Sequence, residues 1–223
     1  MVHSGSRNVG YKVASHYFQK AKEMCNKWYS SVPEGLSFFP LKSQEFKNYK
    51  REMDYCIEFA LANRTLMVQR IKESFKSVLK RVEFSQFINK PHNFAAWENH
   101  FNQNVIIHRK GATRARNGEL GMIPGSQGTS SYIVEGKGNK HSFKSCSHGA
   151  GRTMSRTKAR KTLSLKEETQ KLEEKGILHA IRTEKDLDEA PGSYKDIEKV
   201  MKNQQDLIDI KIKLKPLATI KAH

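Results

Sequence analysis

Apolar residues recur at three- and four-residue intervals through the first third of the chain and cease to do so near residue 82. Val13, Tyr17, Ala21, Met24 and Trp28 mark an amphipathic helix between residues 10 and 31, and Pro33 and Gly35 end it. From Ser43, a residue suited to capping a helix N-terminus, a second stripe runs through Phe46, Tyr49, Met53, Ile57, Ala60, Leu61, Met67, Ile71, Phe75 and Leu79. Its length suits two helices with a break near Asn63, and both stripes read as core. Beyond residue 82 the pattern changes to short β-like runs at 105–108, 121–124 and 131–135, separated by glycine-rich loops. A basic helix is expected from after His148 to about Leu163. Ser164 and Glu167 form a capping box opening another helix that ends at Gly176. Residues 177–181 suit a short strand, 194–207 a helix and 208–213 a final strand. The fold class is therefore α+β, a mixed αβ arrangement with a mainly helical segment over 1–81 and an αβ segment over 82–223.

Charge narrows the class of partner. Forty Lys and Arg against 23 Asp and Glu give a formal net charge of +17, which draws polyanions by steering and counterion release. The charge is concentrated: between residues 137 and 161 the cations Lys137, Lys140, Lys144, Arg152, Arg156, Lys158, Arg160 and Lys161 occur without one Asp or Glu. No apolar run approaches the roughly 20 residues of a membrane span, and the N-terminus shows no apolar signal segment, so no membrane is expected and the cytoplasm is the default location. Cys25, Cys56 and Cys146 have neither metal-site spacing nor the pattern of a disulfide framework. Cys146, two residues before a histidine, reads as a small buried thiol rather than a second nucleophile.

The hexapeptide Ser147-His148-Gly149-Ala150-Gly151-Arg152 carries the chemistry. Alone, it is first a glycine-rich turn holding a solvent-facing histidine. Its small residues also leave room for a phosphate to reach the imidazole, which would make His148 a nucleophile. Three other segments accompany it: His108-Arg109-Lys110-Gly111-Ala112-Thr113-Arg114-Ala115, Ile123-Pro124-Gly125-Ser126-Gln127-Gly128-Thr129-Ser130-Ser131-Tyr132, and Leu214-Lys215-Pro216-Leu217-Ala218-Thr219-Ile220-Lys221. In this order and spacing they resemble the RtcB-type tRNA-splicing RNA ligases. The resemblance runs from His3-Ser4-Gly5-Ser6-Arg7 to Lys221, and corresponds to the C-terminal half of that family's usual length.

The resemblance implies a set of roles. His148 is the residue that attacks the α-phosphate of GTP and holds GMP, an act suited to a neutral imidazole. The amides of Gly149, Ala150 and Gly151 would approach phosphate oxygens, and Arg152, Arg109, Lys110 and Arg114 would bind phosphate or RNA. Pro124, Gly125, Ser126 and Ser131 look like the nucleotide-binding loop. Tyr194 and Lys221 match positions at the guanine, and Asn93 one that touches the nucleotide. His3 and His92 match manganese ligands; taken alone, each would more simply be a hydrogen-bonded surface histidine.

The family's aspartate and cysteine ligands, a third ligand histidine and a Gly-Asn-His segment lie upstream of the part matched by His3. The chain therefore reads as a truncated product, a fragmentary frame or half of a split enzyme, partnered by a missing N-terminal half or an accessory activating protein. The expected function is GTP- and manganese-dependent joining of RNA 2′,3′-cyclic phosphate or 3′-phosphate ends to 5′-hydroxyl ends, on tRNA halves or broken RNAs. These 223 residues alone are expected to be inactive or very weak, with exposed apolar surface over 82–223. The alternative is a non-catalytic RNA-binding remnant, whose salt-dependent RNA binding would ignore both GTP and His148→Ala.

Overall fold

Ser43 caps the longest element of the chain: its hydroxyl accepts a hydrogen bond from the Phe46 amide at 3.1 Å. The helix that follows, α2 (Gln44–Val78), is joined to α1 (Val9–Lys27) by the irregular connection 28–43. The computed structural model describes residues 1–4 and 8–220, and these fall into two compact units, Met1–Phe94 and Ala95–His223. In the first, the two helices meet through Tyr17, whose ring lies edge-on to Tyr49 and to Phe39. Tyr17, Ala21, Cys25 and Phe46 are its buried apolar residues. Two expectations fail here. The second helix has no break at Asn63, because residues 44–78 contain neither Gly nor Pro, and Asn89 braces the region by donating to the Leu61 carbonyl at 3.2 Å and accepting from Arg64 at 2.7 Å. Its apolar stripe is core only at the start: Met67, Ile71, Phe75 and Leu79 are exposed, since α1 reaches only the early turns.

The second unit is built from short strands. β1 (Asn93–His100) and β2 (Gln103–Lys110) pair as a hairpin, turned by Phe101 and Asn102, both with positive φ. β3 (Ala112–Arg114) pairs antiparallel with β6 (Ser145–Ser147). β4 (Leu120–Ile123), β5 (Ser131–Gly136) and β8 (Ile208–Leu214) form a three-stranded antiparallel sheet with an irregularity between Ile133 and Val134. The alternation of β5 sends Tyr132 and Val134 inward, where they meet Ile123, Cys146, Ala150, Ile197, Met201 and Ile208 in one core. A second core of Leu172, Ile177, Ile181, Leu187 and Ala190 involves α3 (Arg156–Thr162) and α4 (Leu165–Glu173), capped by Ser155 and Ser164. β7 (Leu178–His179) pairs parallel with β9 (Ala218–Thr219), and α5 (Ile197–Lys202) precedes β8. The expected helix over 194–207 contracts to α5 and the strand over 177–181 to β7, while β1, β3, β6 and β9 were not anticipated.

Candidate functional site

His148 stands where two of the singled-out segments are forced together. The β3–β6 register sets Ala112 opposite Ser147, so the residue before β3 and the residue after β6 are neighbours. Gly111, with φ of +69°, has no Cβ; one placed there would lie 3.3 Å from His148 Cε1. The loop after His148 is clipped twice. The Ser147 hydroxyl donates to the Gly149 carbonyl at 2.6 Å, and the Ala150 amide donates to the Pro124 carbonyl at 3.0 Å. That second bond brings the Pro124–Ser131 loop alongside the histidine. It also engages the Ala150 amide, one of the three donors expected to face a phosphate.

The serine-rich loop is organised from within. The Gly125 amide donates to the Ser131 hydroxyl at 3.2 Å and the Ser126 amide to the Thr129 hydroxyl at 2.7 Å. Gly125 is obligatory there, because a Cβ would fall 2.2 Å from the Ser130 carbonyl oxygen. Ser126 and Thr129 share a hydroxyl–hydroxyl bond of 3.0 Å.

The arginines divide into those facing outward and one turned inward. Arg109 is buried: Nη1 and Nη2 donate to Glu98 at 2.6 and 3.0 Å, Nε to the Ser145 hydroxyl at 2.9 Å, and Nη2 also to the Phe143 carbonyl at 3.0 Å. Its guanidinium is committed to holding the Phe143–Ser145 corner and is not turned toward a phosphate at the surface, unlike exposed Lys110 beside it. His100 completes the network at 2.8 Å from Glu98. Burial pushes the Glu98 carboxyl up, but hydrogen bonds from Arg109 and His100 together with the Arg109 charge outweigh it and hold the pKa at about 2. Arg114 is paired with Glu119 at 3.0 Å. Cys146 is buried beside Thr113 at 3.2 Å, and burial raises its pKa, as suits an inert thiol rather than a nucleophile.

Arg152 and Tyr194 lie on facing strands of an isolated antiparallel bridge. The guanidinium sits 5.2 Å over the Tyr194 ring, and its Nε donates to the Met154 carbonyl at 3.0 Å. The Tyr194 hydroxyl donates to Glu189; burial first, then this bond, lifts its pKa to about 12, so it remains a proton donor at neutral pH. Arg156 bonds Glu189 at 2.8 Å and Arg160 bonds Asp188 at 2.9 Å. The acid-free basic block thus acquires carboxylates from the turn at Glu184–Glu189, which no local reading of residues 137–161 shows. Also missed were Gln204, which accepts the Ser147 amide at 3.0 Å, and Lys195, whose amide donates to the Gly151 carbonyl at 2.9 Å.

In the first unit, His3 and His92 come together with their Nε2 atoms 3.2 Å apart. Two nitrogens each about 2.1 Å from one ion in tetrahedral-like geometry stand roughly 3.4 Å apart, close to the separation here, so the pair suits two ligands of a common metal. Among the described residues no group of three His, Cys, Asp or Glu side chains gathers. Asn93 opens β1 directly after His92. Lys221 lies outside the described residues. Among the described residues no helix is long and apolar enough to cross a membrane.

Fold and site together describe an αβ unit in which a histidine sits on a glycine-rich loop directly after β6. The model of one family, tRNA-splicing ligase RtcB, matches residues 1–222. The chain belongs to this family. It is 36% identical over 231 residues to RNA-splicing ligase RtcB1 of Escherichia coli, covering 99% of this chain and 55% of the relative. It is also 36% identical over 248 residues to tRNA-splicing ligase RtcB of Nanoarchaeum equitans (99% and 51%), and 35% identical over 249 residues to RNA-splicing ligase RtcB homolog 1 of Entamoeba dispar (99% and 46%). The chain spans about half the length of these curated relatives.

Proposed function

We propose that this chain carries the nucleotide-accepting part of an RNA ligase, with His148 as the residue that takes GMP from GTP. The reading is supported above all by the meeting of the His148 loop, Gly111 and the Pro124–Ser131 loop through the β3–β6 register and the Ala150–Pro124 bond. A ring nitrogen of His148 attacks the α-phosphorus of GTP; a P–N bond forms, the bond to the pyrophosphate oxygen breaks, and pyrophosphate leaves. The phosphoramidate then passes GMP to an RNA 3′-phosphate, and a 5′-hydroxyl displaces GMP to close the phosphodiester. A 2′,3′-cyclic phosphate end is first opened by water to the 3′-phosphate.

The chain's own groups serve positions in this sequence. Lys110 and Arg152 offer charge to phosphates, with Arg152 oriented by Tyr194 and Glu189. Ser126 and Ser131 present hydroxyls from a loop that Gly125 allows to fold tightly. His3 and His92 would hold manganese, which when bound would polarise phosphate oxygens. The RNA is a tRNA half or a broken RNA end, in tRNA splicing or RNA repair in the cytoplasm.

Incubating the purified chain with α-labelled GTP and manganese tests the reading. The expected result is a weak, acid-labile label that is absent from His148→Ala and strengthens when the unmatched part of the E. coli relative is added. A label that survives His148→Ala, or none under either condition, overturns it.

A further inference from the structure

Two turns of the second unit, far apart in sequence, hold aromatic side chains outward at the same place. Phe101 and Asn102 turn the β1–β2 hairpin with φ of 51° and 62°, and Phe143 and Lys144 turn into β6 with φ of 52° and 51°. All four are non-glycine residues in the left-handed region, which a phenylalanine rarely adopts. The two phenylalanine rings are edge-to-face at 5.7 Å, and His141 stands 6.5 Å from Phe101. Phe101 is 56% and Phe143 41% exposed, so the pair presents ring surface to solvent. Beneath it, His100 packs on Phe143 at 5.2 Å, and buried Arg109 holds the Phe143 carbonyl.

The surroundings are cationic. Lys140 and Lys144 flank Phe143 in the chain, and among the described residues neither they nor Lys110 are ion-paired, in contrast to Arg152, Arg156 and Arg160. Phe143 lines a shallow groove together with Ser142, Ala112, Lys110, His108 and Ile106; Gly111, between Lys110 and Ala112 in the chain, is the residue whose added Cβ would meet His148. Four residues lie between Phe143 and His148, so the two are at most about 18 Å apart along the chain, a span of a few nucleotides.

We propose that Phe101 and Phe143 form a stacking platform for an unpaired base of a single-stranded RNA end, with Lys140 and Lys144 on its phosphates and the groove past Lys110 leading the strand toward His148. Exposed aromatic rings interleaved with free lysines are the recognised means of holding single strands without reading sequence. The choice of RNA as occupant rests on the RNA-joining function proposed above.

The full chain is titrated, without GTP or manganese, into a fluorescent single-stranded RNA of about ten nucleotides. Replacing both rings (Phe101→Leu with Phe143→Leu) is expected to weaken binding at least about fivefold, the lower end for losing one base stack. It should leave the salt slope unchanged. Phe101→Trp should keep wild-type affinity, while Lys140→Gln with Lys144→Gln should lower the slope by about 0.7 per phosphate lost. A second measurement needs no variant: 2-aminopurine placed in the strand is quenched on binding the wild-type chain. Unchanged affinity in the leucine variant, no quenching, or equal affinity for duplex RNA overturns the platform. Quenching with no GMP on His148, even when the unmatched part of the E. coli relative is added, leaves the platform standing and defeats the ligase reading; His148 labelling with no quenching does the reverse.

Discussion

The helices of Met1–Phe94 and the strands of Ala95–His223 reach order by different means. Along α2 many of the polar bonds run between residues three or four apart, as in Lys50–Asp54 at 2.5 Å and Gln44–Asn48 at 2.9 Å, and its apolar stripe is half-buried from Tyr49 to Leu61 and exposed from Met67 onward. In the second unit the decisive bonds join residues far apart in sequence: Arg109 to Ser145, Tyr132 to Glu198, Ser147 to Gln204, Arg160 to Asp188. Local order is readable and tolerant of damage; order built from distant pairs is opaque and fails as a unit.

That contrast can be broken experimentally, because each unit holds one of the chain's two tryptophans, Trp28 and Trp97. The largest effect is expected of Glu98→Ala, which leaves Arg109 buried without its carboxylate and should destabilise the second unit by about 3–5 kcal/mol. Trp97 emission in a Trp28→Phe background reports it, while the helical dichroism of α1 and α2 persists; simultaneous loss of both signals would erase the distinction. The same pair sets an acid limb. Glu98 titrates at about 2 in the folded chain against 4.5 unperturbed, so its stabilisation is complete above pH 4.5 and is lost as pH falls from there toward 2. Glu98→Gln should flatten that limb.

A smaller effect, about 3 kcal/mol, is expected where Asn63→Pro interrupts the exposed middle of α2. Helical dichroism should fall with no shift in the Trp97 transition, and a shift there would show that the units melt together. Smallest is Ser43→Ala, which removes the cap bond to Phe46 and should cost about 1 kcal/mol, read from Trp28 emission in a Trp97→Phe chain.

What was legible in the sequence follows the same line. The caps at Ser43 and Ser164 and the stripes of α1 and α2 could be read because their determinants lie within one or two turns of each other. His148 could be singled out because its neighbours in sequence are small. The direction of Arg109 could not, since it depends on Glu98 and Phe143, eleven and 34 residues away. Nor could the partial neutralisation of Arg152, Arg156 and Arg160, whose carboxylates arrive from Asp188 and Glu189. The exposed end of α2 was misread because periodicity reports that a face is apolar and is silent on what covers it.

Gly111 has no side chain with which to bond, charge or polarise anything, yet it fixes how close the strand corner comes to the His148 ring. A methyl group added there meets Cε1 at 3.3 Å on a backbone already at φ +69°, so either the imidazole tilts or the β2–β3 corner opens. The orientation of the ring is therefore governed by an omission: variation at position 111 acts on the histidine as a mechanical stop, with no change in the histidine's own chemistry.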